Sequence, residues 1–401
     1  MTPSLLLANA VLTDGRRVDI HVKNGEIAAL HVAGQPANHG TERIDLDGAL
    51  VIPGLVDGHI HLDKTLLGLP FIPHIPGGSV AERVAAEKTL RRSLTMPVEQ
   101  RAIRLVAQVV ASGTTAMRSH VDIDDLVKLD GLHGLLRVRE AARGHADIQI
   151  VAFPQSGIVT LPGAADMLDQ AVREGADLVG GLDPAGFDHD VEGHLDVIFG
   201  IAERRGVGID IHLHDFGSLG CSELRRIAER TTALGLGGRV AVSHAYALGN
   251  VDDGEFGLTA EALARAQVAI MTNGAGPVPM PPVKRLVAAG VTVFSGSDNI
   301  RDAWSPYGNG DMLERAMLVG YRNELSADEE LELALGLATD APAKVLGIAR
   351  YGIGEGMPAD LVAIPAGSVA EAVVNHPTRK LVMKRGRVIA QDGRLVAPLC
   401  I

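Results

Sequence analysis

The sequence predicts an α/β protein built on a (β/α)8 TIM barrel, with a small β module formed by both ends of the chain. Between residues 53 and 345, short runs rich in β-branched residues alternate with longer stretches rich in Ala, Leu, Glu and Arg. This alternation is typical of parallel strands joined by helices. At both ends the pattern changes to short apolar runs separated by turn residues, which is typical of hairpins.

Eight runs of four to seven residues are strand candidates, namely residues 56–61, 116–122, 148–153, 178–181, 208–214, 239–244, 268–271 and 291–295. Helix candidates between them include residues 97–111, 164–174, 191–205, 222–234 and 259–266. Eight strand-and-helix repeats favour a closed parallel barrel. An open doubly wound sheet is the structural alternative.

The two chain ends share the hairpin pattern. Residues 4–52 contain the turn pairs Asp14-Gly15 and Asn24-Gly25 between apolar runs, and the pattern returns in 361–390. We therefore expect residues 1–52 plus 346–401 to form one β domain and residues 53–345 to form the barrel.

Composition excludes several classes of protein. Of the 401 residues, 46% are hydrophobic and 21% charged, which is ordinary for a globular protein and excludes a disordered or fibrous chain. The net charge is −12 with no basic block, so a nucleic-acid polymer is not an expected partner.

Cys221 and Cys400 are the only cysteines. They allow neither a disulfide framework nor a Cys-rich zinc site, and they exclude the deaminases that pair His-x-Glu with Cys-x-x-Cys. Residues 1–12 lack a basic leader pattern, and the longest uncharged stretch, 266–283, is interrupted by an Asn, two Gly and four Pro. We expect a cytoplasmic protein that does not enter a membrane.

Polar residues fall at the C-terminal ends of most strand candidates. In a barrel these ends converge on one face, where the chemistry of this fold is assembled. The residues are His59, His61, His120, Asp122, Gln155, His212, His214, His244 and Asp298.

His59 and His61 lie two residues apart, so both side chains point to the same side of a strand and suit a shared cation. Alone, this motif also fits two polar residues that cap a strand. It lies, however, within the longer run PGLVDGHIHLDK at 53–64. Further motifs follow in order: RSHVD at 118–122, AFPQSG at 152–157, IH at 211–212, VSH at 242–244, SDN at 297–299 and GDML at 310–313.

Together these motifs resemble the amidohydrolase superfamily, and within it the branch of cytosine deaminases and N-isopropylammelide aminohydrolases. The resemblance covers almost the whole chain and implies a barrel flanked by a β-sandwich from both termini. It implies that His59, His61, His212 and Asp298 bind one divalent cation, with zinc (Zn2+) or ferrous iron (Fe2+) both compatible. Binuclear members carry a lysine or acid on the fourth strand, and residues 178–181 contain neither, which favours a single metal.

The resemblance also implies catalytic roles. A metal lowers the pKa of its bound water from about 16 towards about 7, which supplies a hydroxide near neutral pH. Asp298 then takes the proton from this water, and His244 orients the nucleophile. Ser-Asp-Asn is also a turn or cap sequence, which is the alternative for Asp298. Deaminases of this branch carry a glutamate where this chain has Asp215, one methylene shorter. His214 shares a face with His212 and can bind the metal or act on the substrate.

Four residues are candidate substrate contacts. Gln155 corresponds to an amide that reads the edge of a pyrimidine. Lys64 resembles the aminohydrolases of triazine rings and suits a carbonyl oxygen or anionic group. Asn299 replaces a second acid, and Trp304 suits a flat lid over a ring. Solvated or core positions are the alternatives for these side chains, and His120 and Asp122 are expected to support ligands or the substrate loop.

The sequence therefore predicts a hydrolase that removes an amino or alkylamino group from a small nitrogen heterocycle, such as a cytosine-like pyrimidine, a triazine or a cyclic amidine. In this hypothesis metal-bound hydroxide attacks the C=N carbon and Asp215 protonates the departing nitrogen. The alternative is hydrolysis of a cyclic or acyclic amide at the same site. A third alternative is a metal-containing binding protein without turnover. A homo-oligomer is compatible with the sequence.

Overall fold

The computed structural model describes residues 4–34, 42–74, 77–274 and 276–401. Within these ranges the strands are β1 Leu5–Val11, β2 Arg17–Lys23, β3 Glu26–Val32, β4 Glu42–Asp45, β5 Leu50–Pro53, β6 Leu55–Ile60, β7 Thr114–Asp122, β8 Asp147–Phe153, β9 Leu178–Leu182, β10 Gly208–Leu213, β11 Val240–His244, β12 Ala269–Thr272, β13 Val293–Ser295, β14 Leu361–Ile364, β15 Leu381–Lys384, β16 Arg387–Gln391 and β17 Arg394–Leu395. The helices are α1 Val80–Ser93, α2 Val98–Ala111, α3 Asp130–Ala142, α4 Ala164–Arg173, α5 Val191–Arg205, α6 Gly217–Ala233, α7 Asp253–Ala266, α8 Val283–Ala288, α9 Met312–Arg322, α10 Asp328–Gly336, α11 Asp340–Val345 and α12 Val369–Asn375.

Strands β6 to β13 form one parallel sheet in sequential order. Their side chains alternate between two environments, as the period of a strand requires. In β10, Ile209, Ile211 and Leu213 belong to the large hydrophobic core, whereas the intervening Asp210 and His212 are buried polar residues. The polar residues of the strand therefore share a face opposite the helices.

The sheet closes between its first and last strands. Ile60 forms a parallel bridge with Asp298, and the Asp298 N–H donates to the His59 carbonyl at 2.7 Å. A Cβ at Gly296 would lie about 2.5 Å from atoms of His59, so only glycine allows this approach. Closure thus brings the first and eighth barrel strands together at the point where the motifs PGLVDGHIHLDK and SDN lie.

Helix ends follow capping chemistry. The Asp190 side chain accepts from the Gly193 N–H at the start of α5, and Gly206 ends that helix with a φ of 69°. Asp311, in the GDML motif, accepts from the N–H groups of Leu313 and Glu314 and so caps α9. This motif therefore has a structural role in the chain.

Both termini build the second sheet, in which the N-terminal strand β5 pairs antiparallel with the C-terminal strand β14. Alternate residues face two cores. Leu361 and Ala363 join the core of the terminal sheet, whereas Val362 and Ile364 pack into the barrel core. One face of this sheet therefore holds its own core, and the other packs on the barrel.

The predicted fold class, a TIM barrel with a β module from both termini, is confirmed. All eight strand candidates lie within two residues of the observed barrel strands. The candidate helices 222–234 and 259–266 start five and six residues too late, because Gly217, Gly220, Gly254 and Gly257 at their starts suggest loops by sequence. No helix in the described ranges is long and apolar enough to cross a membrane.

Candidate active site

The four predicted metal ligands converge at the C-terminal ends of barrel strands; we refer to His59, His61, His212 and Asp298 as the metal cluster. His61 Nε2 lies 3.4 Å from His59 Nε2 and 3.3 Å from His212 Nε2. Asp298 Oδ1 lies 3.5 Å from His59 Nε2 and 3.4 Å from His61 Nε2. Four donor atoms from three strands thus surround one point.

These distances fit a metal ion. Ligands bound tetrahedrally at about 2.0–2.1 Å stand about 3.3–3.4 Å from one another. Burial lowers the pKa of His61 to about 3 and holds that of His212 well below its ordinary value, so both imidazoles are neutral donors at pH 7. Three imidazoles and one carboxylate are a donor set for a divalent cation.

A chain of hydrogen bonds fixes the orientation of His59. Ser243 Oγ donates to Asp210 Oδ1 at 3.0 Å and must therefore accept from His59 Nδ1, which lies 2.9 Å away. Arg118 holds the other oxygen of Asp210 at 2.8 Å. Nε2 of His59 accordingly faces the other ligand atoms, where it would bind a cation held between them.

Backbone strain is concentrated at this face of the barrel. Asp183, His244 and Asp298 have φ values of 36°, 74° and 61°, in the left-handed region that costs free energy for residues other than glycine. Asp298 is held by the bridge to β6, and its Oδ2 accepts from Asn273 Nδ2 at 2.5 Å. The fold therefore stabilises a conformation that aims these side chains into the barrel mouth.

His244 lies beside the metal cluster. One nitrogen of His244, one of His59 and a carboxylate oxygen of Asp298 lie within 4.8 Å of one another. Its ring stacks on His214, with the ring centroids 4.6 Å apart. His214 Nδ1 pairs with Asp183 Oδ2 at 2.8 Å, so Nε2 is the nitrogen that can reach a substrate. The His214 side chain is 22% exposed, whereas the four residues of the metal cluster are buried.

Asp215 lies in a different environment from His214. Its Oδ2 accepts from the Gly186 N–H at 2.9 Å, and its carboxyl group pairs with that of Glu223. Burial and the neighbouring Asp215 raise the pKa of Glu223 to about 8, so Glu223 keeps a proton near neutral pH. The described contacts of Asp215 are thus with the loop after β9 and with α6.

Three of the predicted substrate contacts meet beside the metal cluster. Lys64 Nζ donates to Gln155 Oε1 and lies 5.1 Å from the centroid of the Trp304 ring. Phe153 lies between the two regions, with its ring centroid 4.1 Å from that of His212 and 5.6 Å from Lys64 Nζ. Asn299 is one step further away, since its amide donates to Asp302 Oδ2 at 2.8 Å.

Carboxylates surround Lys64. Glu87 Oε2 and Asp122 Oδ1 each lie 3.4 Å from Lys64 Nζ, and Glu87 Oε2 also accepts from Trp304 Nε1 at 2.6 Å. Burial alone disfavours the charge on Lys64, but Asp122 and Glu87 outweigh it and raise the pKa of the ammonium group. We call Lys64, Gln155, Trp304, Glu87, Arg91 and Asp122 the Lys64 cluster.

The structure adds site residues that the sequence analysis missed. Asp183 follows the fourth barrel strand directly, and its position at a strand end was the available signal. Ser243 stands inside the VSH motif, but its role depends on a neighbouring strand. Glu87 and Arg91 lie on a helix between β6 and β7, and nothing in their local sequence indicates their partners. His120 lies 3.5 Å from Asp210, next to the chain that orients His59.

A (β/α)8 barrel whose strand ends gather three histidines, an aspartate and a separate polar pocket defines the class of metal-dependent barrel hydrolases. The amidohydrolase family model matches residues 42–390, and the chain belongs to this family. The resemblance drawn from the sequence motifs is confirmed, and so is the predicted enzyme class, a hydrolase of C–N bonds.

Similar proteins cover nearly the whole chain. N-isopropylammelide isopropyl amidohydrolase of Pseudomonas sp. (strain ADP) is 33% identical over 98% of this chain and 98% of its own length. The crystal structure of N-isopropylammelide isopropylaminohydrolase from Burkholderia multivorans ATCC 17616 is 41% identical, covers 98% of this chain and 100% of that chain, and superposes with a TM-score of 0.94. 5-Methylcytosine deaminase from Klebsiella pneumoniae, liganded with 5-fluorocytosine, is 28% identical over 99% of both chains, with a TM-score of 0.86.

Proposed function

We propose that this protein is an aminohydrolase that replaces an amino or alkylamino group on a small nitrogen heterocycle with oxygen. The observation that carries this proposal is the metal cluster at 3.3–3.5 Å spacing next to Lys64, Gln155 and Trp304. The similar proteins act, by their names, on a substituted triazine and a pyrimidine. N-isopropylammelide and 5-methylcytosine are therefore the first substrates to test.

We propose that His59, His61, His212 and Asp298 hold one divalent ion, with zinc or ferrous iron both suited to this donor set. When bound, such an ion acts as a Lewis acid and lowers the pKa of water. One ion agrees with the fourth barrel strand, Leu178–Leu182, which carries neither lysine nor an acidic residue.

The chain's own groups have separable tasks. Asp298 has a carboxylate at the centre of the cluster and suits the acceptance of a proton from the attacking water. The neutral His244 imidazole, next to Asp298 and His59, orients that water. Gln155 and Lys64 bind polar atoms of the ring, and Trp304 covers its face.

Two groups are candidates for the proton donor to the departing nitrogen. Asp215 occupies the position of the glutamate in related deaminases, but its described contacts are with Gly186 and Glu223. The His214–Asp183 pair stacks against His244 and is partly exposed at the mouth of the site. The position of His214 favours it, and comparing His214→Asn with Asp215→Asn separates the two.

Amine release tests the proposal. Metal-free protein reloaded with zinc or ferrous iron is expected to release ammonia or an alkylamine from at least one pyrimidine, triazine or cyclic amidine. The product should carry oxygen in place of the amine. A product that gains the mass of one water indicates amide hydrolysis instead. Metal-loaded protein that releases no amine from any of these rings contradicts the proposal.

The limits 1–52 plus 346–401 for the β domain and 53–345 for the barrel are retained as part of this proposal. The cytoplasmic location, the lack of nucleic-acid and membrane partners and the possible homo-oligomer stay predictions.

A further inference from the structure

Helix α1 is attached to the molecule differently from the helix that follows it. Of the residues of α1, Val84 and Glu87 are buried, whereas α2 has the same length and buries seven residues, mostly apolar. Little apolar surface is therefore available to fix α1 against the barrel. Its contacts with the barrel mouth are ionic and polar.

Glu87 connects α1 to two predicted substrate contacts. It is 3% exposed, and its Oε2 accepts from Trp304 Nε1 at 2.6 Å and lies 3.4 Å from Lys64 Nζ. One carboxylate oxygen thus touches both the ring and the cation that flank the substrate pocket. Arg83, also on α1, lies 5.9 Å from the centroid of the Trp304 ring.

Arg91 lies one turn after Glu87 and completes the attachment. Its Nη2 lies 3.2 Å from Glu87 Oε1, 3.0 Å from Asp63 Oδ2 and 2.9 Å from Asp122 Oδ2. Asp122 in turn lies 3.4 Å from Lys64. Two cations and three carboxylates therefore form one buried network between α1 and the ends of β6 and β7.

The charges of this network depend on one another. A buried charge is tolerated when it is paired, and removal of one partner leaves the others uncompensated. Without Glu87, Lys64 keeps Asp122 as a close ionic partner, and Trp304 loses an acceptor for its N–H. Without Arg91, the carboxylates of Glu87, Asp63 and Asp122 repel one another. In both cases α1 loses ionic contacts that attach it to the barrel mouth.

We propose that Glu87 and Arg91 are positioning residues that fix Lys64 and Trp304 for ring binding, so that α1 is a specificity element of the active site. This inference rests on the proposed function, because it takes Lys64 and Trp304 as substrate contacts. Neither residue touches the metal cluster in the described contacts. They therefore act on how the ring is bound, while the cluster acts on how it reacts.

The experiment uses the only tryptophan of the chain as its reporter. Emission of Trp304 in metal-loaded, substrate-free protein reports the contact between Glu87 and the indole. The variants are Glu87→Ala, Glu87→Gln and Arg91→Gln, with Arg92→Gln as the matched control. Arg92 is the next residue of the same helix and is exposed. Metal content and amine-release kinetics are measured on the same preparations.

We expect Glu87→Ala and Arg91→Gln to shift the emission of Trp304 to the red and to raise KM by about tenfold or more, which corresponds to one lost charge-assisted hydrogen bond. The metal content stays at the wild-type level and kcat changes little, as befits loss of binding common to ground and transition state. Glu87→Gln keeps an acceptor for the indole, so its emission stays near that of wild type while its KM rises. Arg92→Gln matches the wild type in both measurements.

Identical emission and KM in Glu87→Ala and Arg92→Gln would overturn the inference. If Glu87→Ala does not fold, Glu87→Gln and Arg91→Gln decide, and an unchanged KM in both overturns it. The emission comparison needs no substrate. A failure of the proposed function, with no ring hydrolysed by wild type, is therefore distinct from a failure of this inference.

Discussion

The metal cluster and the Lys64 cluster lie side by side at the same end of the barrel, yet different forces hold them. The metal ligands come from strand ends that are fixed by sheet hydrogen bonds, by the Ile60–Asp298 bridge and by the chain from Ser243 to Arg118. The Lys64 cluster depends on ion pairs from a helix that buries two of its residues. The barrel therefore builds the reactive centre, and α1 completes the pocket that receives the ring.

This difference predicts that metal binding at the metal cluster and ring binding at the Lys64 cluster can be lost independently. Strand positions are over-determined by the sheet, so loss of one side chain leaves the neighbouring ligands in place. The ionic network is mutually dependent, so one substitution disturbs several members. Variants that separate metal binding from ring binding test this view.

The largest effect is expected from His212→Ala. Removing this imidazole leaves three donors at the metal cluster, and we expect loss of bound metal and a fall in amine release of about three orders of magnitude or more, because the water is no longer activated. In the described contacts, His212 reaches the Lys64 cluster only indirectly, through the Phe153 ring and through His61, which lies close to Asp122. Trp304 emission should therefore stay at the wild-type position while elemental analysis shows the loss of metal.

A red-shifted emission in His212→Ala would contradict the independence of the two clusters. A variant that retains one metal per chain would show that His212 is not a required ligand.

A smaller effect is expected from Ser243→Ala. This substitution breaks the hydrogen bond that sets His59 with its Nδ1 proton away from the metal. Loss of such outer partners commonly weakens metal affinity by about 10–100-fold. Metal affinity is measured by competition with a chelator. The ligands themselves remain, so activity should return at high metal concentration.

Ser295→Ala is the matched control for Ser243→Ala. Ser295 is also a buried serine on a barrel strand, but its hydroxyl donates to the Leu337 carbonyl at 2.8 Å. We expect its metal affinity to equal that of wild type. Equal affinities in all three proteins would show that the hydrogen bond to His59 does not tune the site.

The sequence predicted the residues of the metal cluster, which lie at strand ends, better than the residues that helix α1 adds to the Lys64 cluster. His59, His61, His212 and Asp298 could be predicted because parallel strand ends meet on one face, so position along each strand specifies position in space. Lys64 and Gln155 were singled out as substrate contacts by the family resemblance, and Gln155 also follows the end of a strand candidate. Glu87 and Arg91 could not be predicted as members of the Lys64 cluster, because they reach it through the docking of a helix whose own sequence is polar on most faces.

The barrel strands were also easier to place than the helix starts. A buried strand carries a compact run of β-branched residues, whereas α6 and α7 begin in glycine-containing segments that tertiary packing makes helical. Asp215 shows a further limit. The family resemblance predicts a catalytic acid at this position, but its proximity to Glu223 on α6 depends on helix packing.

The smallest expected effect is on stability and concerns Glu223, which lies beside Asp215 and outside both clusters. Burial and Asp215, with Asp183 nearby, raise the pKa of Glu223 from its ordinary 4.5 to about 8. The folded protein thus keeps a proton that the unfolded chain releases above about pH 4.5. The stability from this group is complete below that pH and is lost as the pH rises through about 8. Glu223→Gln is uncharged at every pH, so we expect its free energy of unfolding to fall less than that of wild type between about pH 5 and about pH 9. Urea unfolding across this range measures the difference, and equal slopes in the two proteins would show that Glu223 does not hold this proton.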